Sequence, residues 1–302
     1  MAAEPGPIAV FGNVTLDIIC RTVDDVPRHD SIAFQEAAVT PGGCASNTAI
    51  QLAQMGEPVL LIACTGDDQA ASFLDDTWQT QGVDTTFVRK IMGRASGVSV
   101  GLVDSDLQPR FIHTPGANSA LGPDSLDPEA LIDRGVSALH VAGYFVLPGL
   151  LSAGFAEPLA YLRDGGLITS LDVVTSPAMK EPDVLWPLLP HLNIFTCNQS
   201  EAELITGFPE FDQAARSLGD RGAQTVIIKL GSKGCYLFQD GQGIHIPGME
   251  IEGSLDTTGA GDAFAAGLLS GLRQDLDLRA ACRLGNEAGA RTTTYLGAVD
   301  LD

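Results

Sequence analysis

Cations are scarce in this chain: 17 Lys and Arg stand against 38 Asp and Glu in 302 residues, a formal net charge of −21. No Lys/Arg run interrupts that acidity, so most of the surface repels a phosphate backbone, which excludes nucleic acid as a partner. Zinc-type spacing is missing too. The six cysteines, at 20, 44, 64, 197, 235 and 282, form no Cys-x-x-Cys and neighbour no His pair, so they read as reduced thiols in or near a core. Residues 1 to 20 lack a basic start and a long apolar segment, the strongest run being Ile8 to Phe11, and no stretch approaches a membrane span. These absences place the protein in the cytoplasm, with no membrane partner. A dinucleotide fingerprint is absent as well, because Phe11-Gly12-Asn13-Val14-Thr15-Leu16-Asp17 does not supply Gly-x-Gly-x-x-Gly between a first strand and a first helix. No internal repeat, low-complexity tract or heptad pattern is present.

What is there is apolar matter enough for a buried sheet, at 45% hydrophobic residues. Short β-branched runs alternate with longer helical patterns: Val59 to Ala63, Ala138 to Ala142, Leu167 to Asp172, Asn193 to Thr196 and Thr225 to Lys229. Near-continuous apolar strands with helices between them predict an α/β fold, a mainly parallel sheet with helices on both faces. Right-handed crossovers put the strand C-termini on one edge, where ligands bind. Two segments break the rhythm. Residues 14–39 and 97–113 contain short alternating pieces, such as Gly97 to Val103, the turn Asp104-Ser105-Asp106 and then Pro109 to His113, which predict a small β-sheet standing off the main body as a lid. Residues 1–302 thus read as a single domain carrying that lid, with a linker-like stretch from Gly116 to Pro128. The lid's exposed face offers a surface for a homodimer, and a monomer is equally compatible with the sequence.

Two glycine strings carry the chemistry. Asp256-Thr257-Thr258-Gly259-Ala260-Gly261-Asp262 opens directly into the apolar run Ala263 to Leu269. The first turns of a helix leave backbone N–H groups unpaired at the positive end of the macrodipole, and glycines let a phosphate approach the main chain. Asp262 would repel such an anion unless its task is to take a proton from the group attacking the phosphate, which suggests phosphoryl transfer. Read alone, the same residues also describe an Asp capping a helix after a glycine turn. The other string, Pro41-Gly42-Gly43-Cys44-Ala45-Ser46-Asn47, feeds a helix whose Ala49, Leu52, Ala53 and Gly56 share one face. Asn47 offers donor and acceptor to a hydroxyl, or is simply a polar residue near a helix start.

In this order and separation the two strings resemble the ribokinase-like (PfkB) family of carbohydrate and nucleoside kinases, over essentially the full length. The resemblance implies a ribokinase-like fold and transfer of the ATP γ-phosphate to a sugar or nucleoside hydroxyl, with Mg²⁺ and, in many members, K⁺ or another monovalent cation. It implies Asp262 as catalytic base and Gly259, Ala260 and Gly261 as the anion hole. Asp17, five residues after Gly12, matches a carboxylate that clamps substrate hydroxyls, and Gly42, Gly43 and Asn47 complete that wall. Asn198-Gln199-Ser200-Glu201 matches an Asn-x-x-Glu element in which Glu201 organises Mg²⁺ through water and Asn198 serves the nucleotide, although outside the family it would be a capping box. Lys229 and Gly231 resemble the nucleotide-side strand end, and Asn286 falls where members line the adenine pocket. Asp256 and Thr258 correspond to the monovalent-cation loop.

Departures from that pattern bear on the acceptor. Thr15 stands where ribokinase itself has an Asn, and Cys44 where it has a Lys, which removes an amide and a cation from the sugar wall. Val173-Val174-Thr175-Ser176-Pro177 follows Asp172 with no basic residue before Lys180, where members acting on acidic sugars carry an Arg. The expectation is therefore a neutral sugar, unless Arg94, Arg110 or His113 of the lid supplies a cation. An aromatic at Tyr144 would suit a nucleoside instead, or belong to the core. A sensor that kept the fold without turnover is the remaining alternative, and the presence of Asp262 speaks against it.

Overall fold

The computed structural model describes residues 5–106, 109–151 and 153–301. Leu107 and Gln108, inside the second expected lid segment, lie outside the described residues. Strands and helices run in the order β1 (Ile8–Gly12), β2 (Thr15–Arg21), β3 (Glu36–Gly42), α1 (Cys44–Gln54), β4 (Val59–Thr65), α2 (Gln69–Thr80), β5 (Asp84–Lys90), β6 (Gly97–Val103), β7 (Pro109–Thr114), α3 (Pro128–Asp133), β8 (Ala138–Ala142), α4 (Ala156–Asp164) and β9 (Ile168–Asp172). There follow β10 (Ile194–Asn198), α5 (Gln199–Thr206), α6 (Phe211–Asp220), β11 (Thr225–Lys229), β12 (Gly234–Gln239), β13 (Gln242–Pro247), α7 (Ala260–Arg273) and α8 (Leu278–Thr292).

Each of the apolar runs read from the sequence lies in the large sheet, whose nine strands are ordered β13-β12-β11-β10-β9-β8-β1-β4-β5. Pairing is parallel from β5 across to β11, and β12 and β13 close that end as antiparallel strands. Both faces are covered, and this is why the strands read as continuous apolar runs instead of alternating ones. Ala9, Phe11, Leu139, Val141 and Leu171 point into one core with residues of α3, α4, α5 and α6. Their neighbours Ile8, Val10, Ala138 and Ala142 point the other way, against α1, α2 and α7, while α8 joins α7 over Ile194 and Ile227. Trp78, fully buried on α2, donates its indole N–H to Ser46 Oγ at 2.9 Å and so ties α2 to α1.

The strand order reverses between β1 and β8. At such a point the flanking connections leave in opposite directions, and a crevice opens at the strand C-termini. The second sheet stands beside it, ordered β3-β2-β6-β7. Its outer pairs are antiparallel and its central pair, β2 with β6, is parallel. The expected boundaries shift here, since β3 runs on to Gly42 and β7 to Thr114, while residues 22–35 form no strand. The stretch from Gly116 to Pro128 is not a linker. Its two short 3₁₀ turns bury Ala117, Asn118, Leu121 and Leu126. Asn118 accepts from Val14 N–H at 3.0 Å and donates to Val14 O at 2.7 Å, pinning the passage from β1 to β2. Its Gly, Pro and Ser content reflects tight turning in place of freedom.

Candidate active site

The C-terminal ends of β1, β8, β9, β10 and β11 deliver Gly12, Ala142, Asp172, Asn198 and Lys229 to one edge, and α7 aims its N-terminus at them. Gly259 precedes that helix in the left-handed conformation, φ 74°, and a Cβ there would stand 2.4 Å from Ala298 Cβ and 2.6 Å from its Cα. Only glycine meets both conditions. Of the amides in the turn, Ala260 N–H reaches Thr257 O at 3.3 Å and Ala263 N–H reaches Gly259 O at 2.9 Å. Among the described residues the amides of Gly261 and Asp262 have no partner, so the helix presents open donors at its positive end. Lys229 Nζ lies 3.0 Å from where a Cβ on Gly261 would stand. It belongs to none of the ion pairs among the described residues.

Behind these donors is a cavity of about 370 Å³, lined by Asn198, Lys229, Gly231, Gly261, Phe264 and Asn286 among others. Asn286 is held at its rim by donating to Pro247 O at 3.0 Å and Ile246 O at 3.3 Å. Asn198 caps α5: its side chain accepts from Glu201 N–H at 2.9 Å, and Glu201 Oε2 accepts from Asn198 N–H at 2.8 Å. The capping box is therefore real, and Glu201 Oε1 accepts a long 3.4 Å bond from Thr175 Oγ1, whose backbone also bonds the carboxylate. Among the described residues no group of three or more His, Cys, Asp or Glu is placed to hold a metal ion.

Asp262 sits in the first turn of α7, on the side away from the cavity lining, and is 8% exposed. Asn47 on α1 donates to its Oδ2 at 2.8 Å. Burial pushes the Asp262 carboxyl up to about 7, Asp172 adds to the rise, and Asn47, Lys229 and Cys44 oppose it. Asp172, which accepts from Gly143 N–H at 2.7 Å, is likewise raised by burial against the pull of Lys229. Burial alone would lower the Lys229 ammonium, but Asp172, Glu201 and Asp262 outweigh it and leave the pKa above its usual value. One cation is thus shared by buried carboxylates.

Across from Asp262 stands the wall made by β2, β3 and α1. Thr15 Oγ1 donates to Asp17 Oδ1 at 2.6 Å, and burial pushes the Asp17 carboxyl up to about 6 against that bond. Gly42 lies flat on this carboxyl, since a Cβ there would fall 2.1 Å from Asp17 Cγ. Gly43, at φ 84°, turns the chain into α1 close over Asn13 and Val14. Among the described residues the Asn47 and Asn13 side-chain oxygens are buried without partners.

Asp256 and Thr258 are placed differently from the rest. Asp256 Oδ1 accepts from Thr258 N–H at 2.9 Å and from its hydroxyl at 2.7 Å, while Oδ2 accepts from Gly297 N–H at 3.0 Å. Neither residue lines the cavity. They belong to a knot with the C-terminal segment, which Gln51 of α1 also grips by donating to Tyr295 OH at 2.8 Å and Ala298 O at 3.1 Å. Tyr144 lies outside the site, fully buried with its hydroxyl on Val184 O at 3.1 Å and Leu150 O at 3.2 Å, an ordinary core aromatic. Sequence reasoning did not select Asp172, Thr257, Phe264 or Asn13. Asp172 carried one usable signal, a carboxylate at the C-terminal end of an apolar strand.

The description "pfkB family carbohydrate kinase" matches residues 7–301. A deoxyribokinase of Salmonella typhi is 28% identical over 264 residues, covering 85% of this chain and 82% of that protein. The aminoimidazole riboside kinase of Salmonella typhimurium is 30% identical over 290 residues, covering 92% and 88%. In fold, the structure of Arabidopsis thaliana ribokinase complexed with ribose and ATP is similar with a TM-score of 0.84 at 23% identity, over 97% of this chain and 94% of that one. With both glycine strings and the whole large sheet inside the matched span, this chain belongs to the pfkB family of carbohydrate kinases.

Proposed function

We propose that the protein transfers the γ-phosphate of ATP to a hydroxyl of a neutral sugar, with Asp262 as general base. One observation carries this: the buried Asp262 carboxyl is held by Asn47 at 2.8 Å at the seam between the sugar wall and the open amides of α7, where burial raises its pKa. Asp262 takes the proton from the acceptor hydroxyl as its oxygen bonds to the γ-phosphorus, and the bond from that phosphorus to the bridging oxygen of ADP breaks. The Gly261 and Asp262 amides and the Lys229 ammonium face the charge that develops on the transferred group. Asp17, Gly42, Gly43 and Asn47 bind and orient the acceptor, and Asn198, Lys229, Gly231 and Asn286 the nucleotide.

Glu201 and Asn198 would hold a magnesium ion brought in on the nucleotide phosphates, since the Glu201 carboxylate, held by Asn198 and Thr175, lies close enough to Lys229 to be felt by it at the cavity edge. When bound, Mg²⁺ neutralises phosphate charge. The Asp256–Thr258 turn is the place for K⁺. The four-stranded sheet acts as the lid, and its apolar outer face as a dimer surface. Cytoplasmic placement belongs to the same reading; among the described residues no helix is long and apolar enough to cross a membrane.

Two of the three lid cations are committed elsewhere, which supports a neutral acceptor, while His113 stands in the same cross-strand row as Asp17. Arg110 is committed to Val23 O at 2.7 Å and Asp24 O at 3.0 Å, and Arg94 to Ser119 Oγ at 3.0 Å. A nucleoside is the second reading, favoured by the likeness to an aminoimidazole riboside kinase. An ADP-release screen over neutral sugars, nucleosides and 2-keto-3-deoxygluconate, with and without K⁺, tests both. Turnover of a neutral sugar is expected; activity on the acid alone would refute neutrality.

A further inference from the structure

Asp172 ends β9, is 2% exposed, and takes no part in the proton and phosphoryl transfers described above. Its register partner on β10 is Thr196, which pairs in turn with Ile227 of β11, two residues before Lys229. Side chains alternate along a strand, so Asp172, Thr196 and Lys229 share the face that α7 and α8 cover over Ile194 and Ile227. Thr196 stands between the other two with a short side chain, its hydroxyl buried without a partner among the described residues. The Asp172 carboxyl is seated firmly. Oδ1 accepts from Gly143 N–H at 2.7 Å, and Gly143, at φ 72°, is itself enclosed: a Cβ there would stand 2.7 Å from Asn13 Oδ1 and 3.1 Å from Cys44 Sγ. A desolvated ammonium is stable only beside compensating charge. Of the carboxylates near Lys229, Asp172 acts on it most strongly, then Glu201, then Asp262. Among the described residues Lys229 makes a contact ion pair with none of them, and its Nζ stands 3.0 Å from the Cβ position of Gly261.

We infer that Asp172 is a positioning residue: its carboxylate holds the Lys229 ammonium on the phosphate side of the α7 turn and so keeps that cation from closing on Asp262. This rests on the kinase reading above and assigns a further role at the same site. If the Asp172 charge is removed, the lysine turns to the next carboxylate it can meet. Glu201 is engaged on both oxygens, Oε2 by Asn198 N–H and Oε1 by Thr175, which leaves Asp262 across the turn. After burial, the groups acting most strongly on Asp262 are Asp172 from β9, Asn47 and Cys44 from α1 and Lys229 from β11. Loss of the like charge at 172 and approach of the ammonium both favour the ionised base, so both lower its affinity for a proton. Asp172 thus keeps the base able to hold the proton it takes from the acceptor.

Asp172→Asn is the test, because an amide oxygen can still accept from Gly143 N–H while the charge is gone. The acceptor is whichever neutral sugar or nucleoside turns over fastest in the ADP-release screen. At saturating acceptor, the pH midpoint of kcat/KM for ATP is expected at least about one pH unit below that of wild type, the low end of what an opposite charge in contact does. A merely structural Asp172 would lower Tm and turnover at every pH and leave the midpoint in place. Thermal double-mutant cycles at pH 8, with no acceptor present, read the cation's partner: the coupling of Lys229→Met with Asp172→Asn is expected to exceed its coupling with Asp262→Asn. Should Asp172→Asn alone fail to fold because it strands the ammonium, adding Lys229→Met is expected to restore folding. The inference is overturned by an unchanged or raised midpoint, by a larger coupling of Lys229 with Asp262, or by a double variant that stays unfolded. Those results leave the kinase reading standing. Absence of ADP release with every acceptor removes both.

Discussion

Asp262 is expensive for the fold, and in the proposed reaction it is the base. Its carboxyl is raised to about 7 from the 3.8 of an ordinary aspartate, so the folded state holds its proton more tightly than the unfolded chain does. Between those values the folded state binds more protons, and stability from this group falls as pH rises through about 7. Asp262→Asn carries no charge to desolvate. It is expected to melt at a higher temperature than wild type at pH 8, with the gap closing toward pH 4, while turnover falls roughly 10²- to 10⁴-fold. Differential scanning calorimetry beside an ADP assay checks both halves. A base must be ionised to act, so kcat/KM of the wild type should climb with pH through a midpoint near 7; a profile flat from pH 5 to 8 would remove Asp262 from the role. The residues of this carboxyl's own turn are legible in the sequence, because glycine, threonine and aspartate beside an apolar helix leave few alternatives. Its partner is not. Asn47 lies 215 positions away, and no spacing rule links the two.

At the scale of the element, the N-terminus of α7 is built by two glycines with different duties. A methyl on Gly259 meets the backbone of Ala298 at 2.6 Å and demands φ near 74° of an L residue. A methyl on Gly261 meets only the far end of Lys229, at 3.0 Å. Gly259→Ala should therefore lower Tm and turnover together, whereas Gly261→Ala should keep its Tm and raise KM for ATP. Thermal melts and ATP titrations of the two variants distinguish them, and equal Tm losses would contradict the assignment. The small sheet was legible as alternating pieces, but not its central parallel pairing of β2 with β6, since sequence neighbours suggest hairpins and this pair joins distant segments. The stretch from Gly116 to Pro128 misled for a related reason. Composition describes a turn and cannot report that Asn118 closes on Val14, 104 positions earlier.

For the whole molecule, a net charge of −21 means that the folded surface repels itself. Salt screens such repulsion over about 10 Å at 0.1 M, whereas the largely buried pair of Arg273 with Glu57, at 2.7 Å, is screened little. Tm is expected to rise as NaCl increases from low concentration toward about 1 M, and a Tm that falls over that range would show that ion pairs dominate instead. Val39 and Ile112, in one cross-strand row with Ile18 and Val100, leave apolar surface on one face of the four-stranded sheet, Ile112 being 65% exposed. If that face joins two copies, Ile112→Asp should convert a dimer to a monomer in sedimentation velocity. A wild-type monomer would refute the interface. The α/β class and the edge that carries the site were legible from strand periodicity, because parallel strands covered on both faces leave continuous apolar runs. The closing of the turn before α7 by a segment near residue 298 was not. That closure fixes an order of events at the ribosome: α7 is translated well before Ala298 can pack on Gly259 and before Gly297 can bond Asp256. A nascent chain arrested short of residue 297 would hold its large sheet's strands and still grip nucleotide poorly, so competence arrives only once the segment around residue 298 has been made.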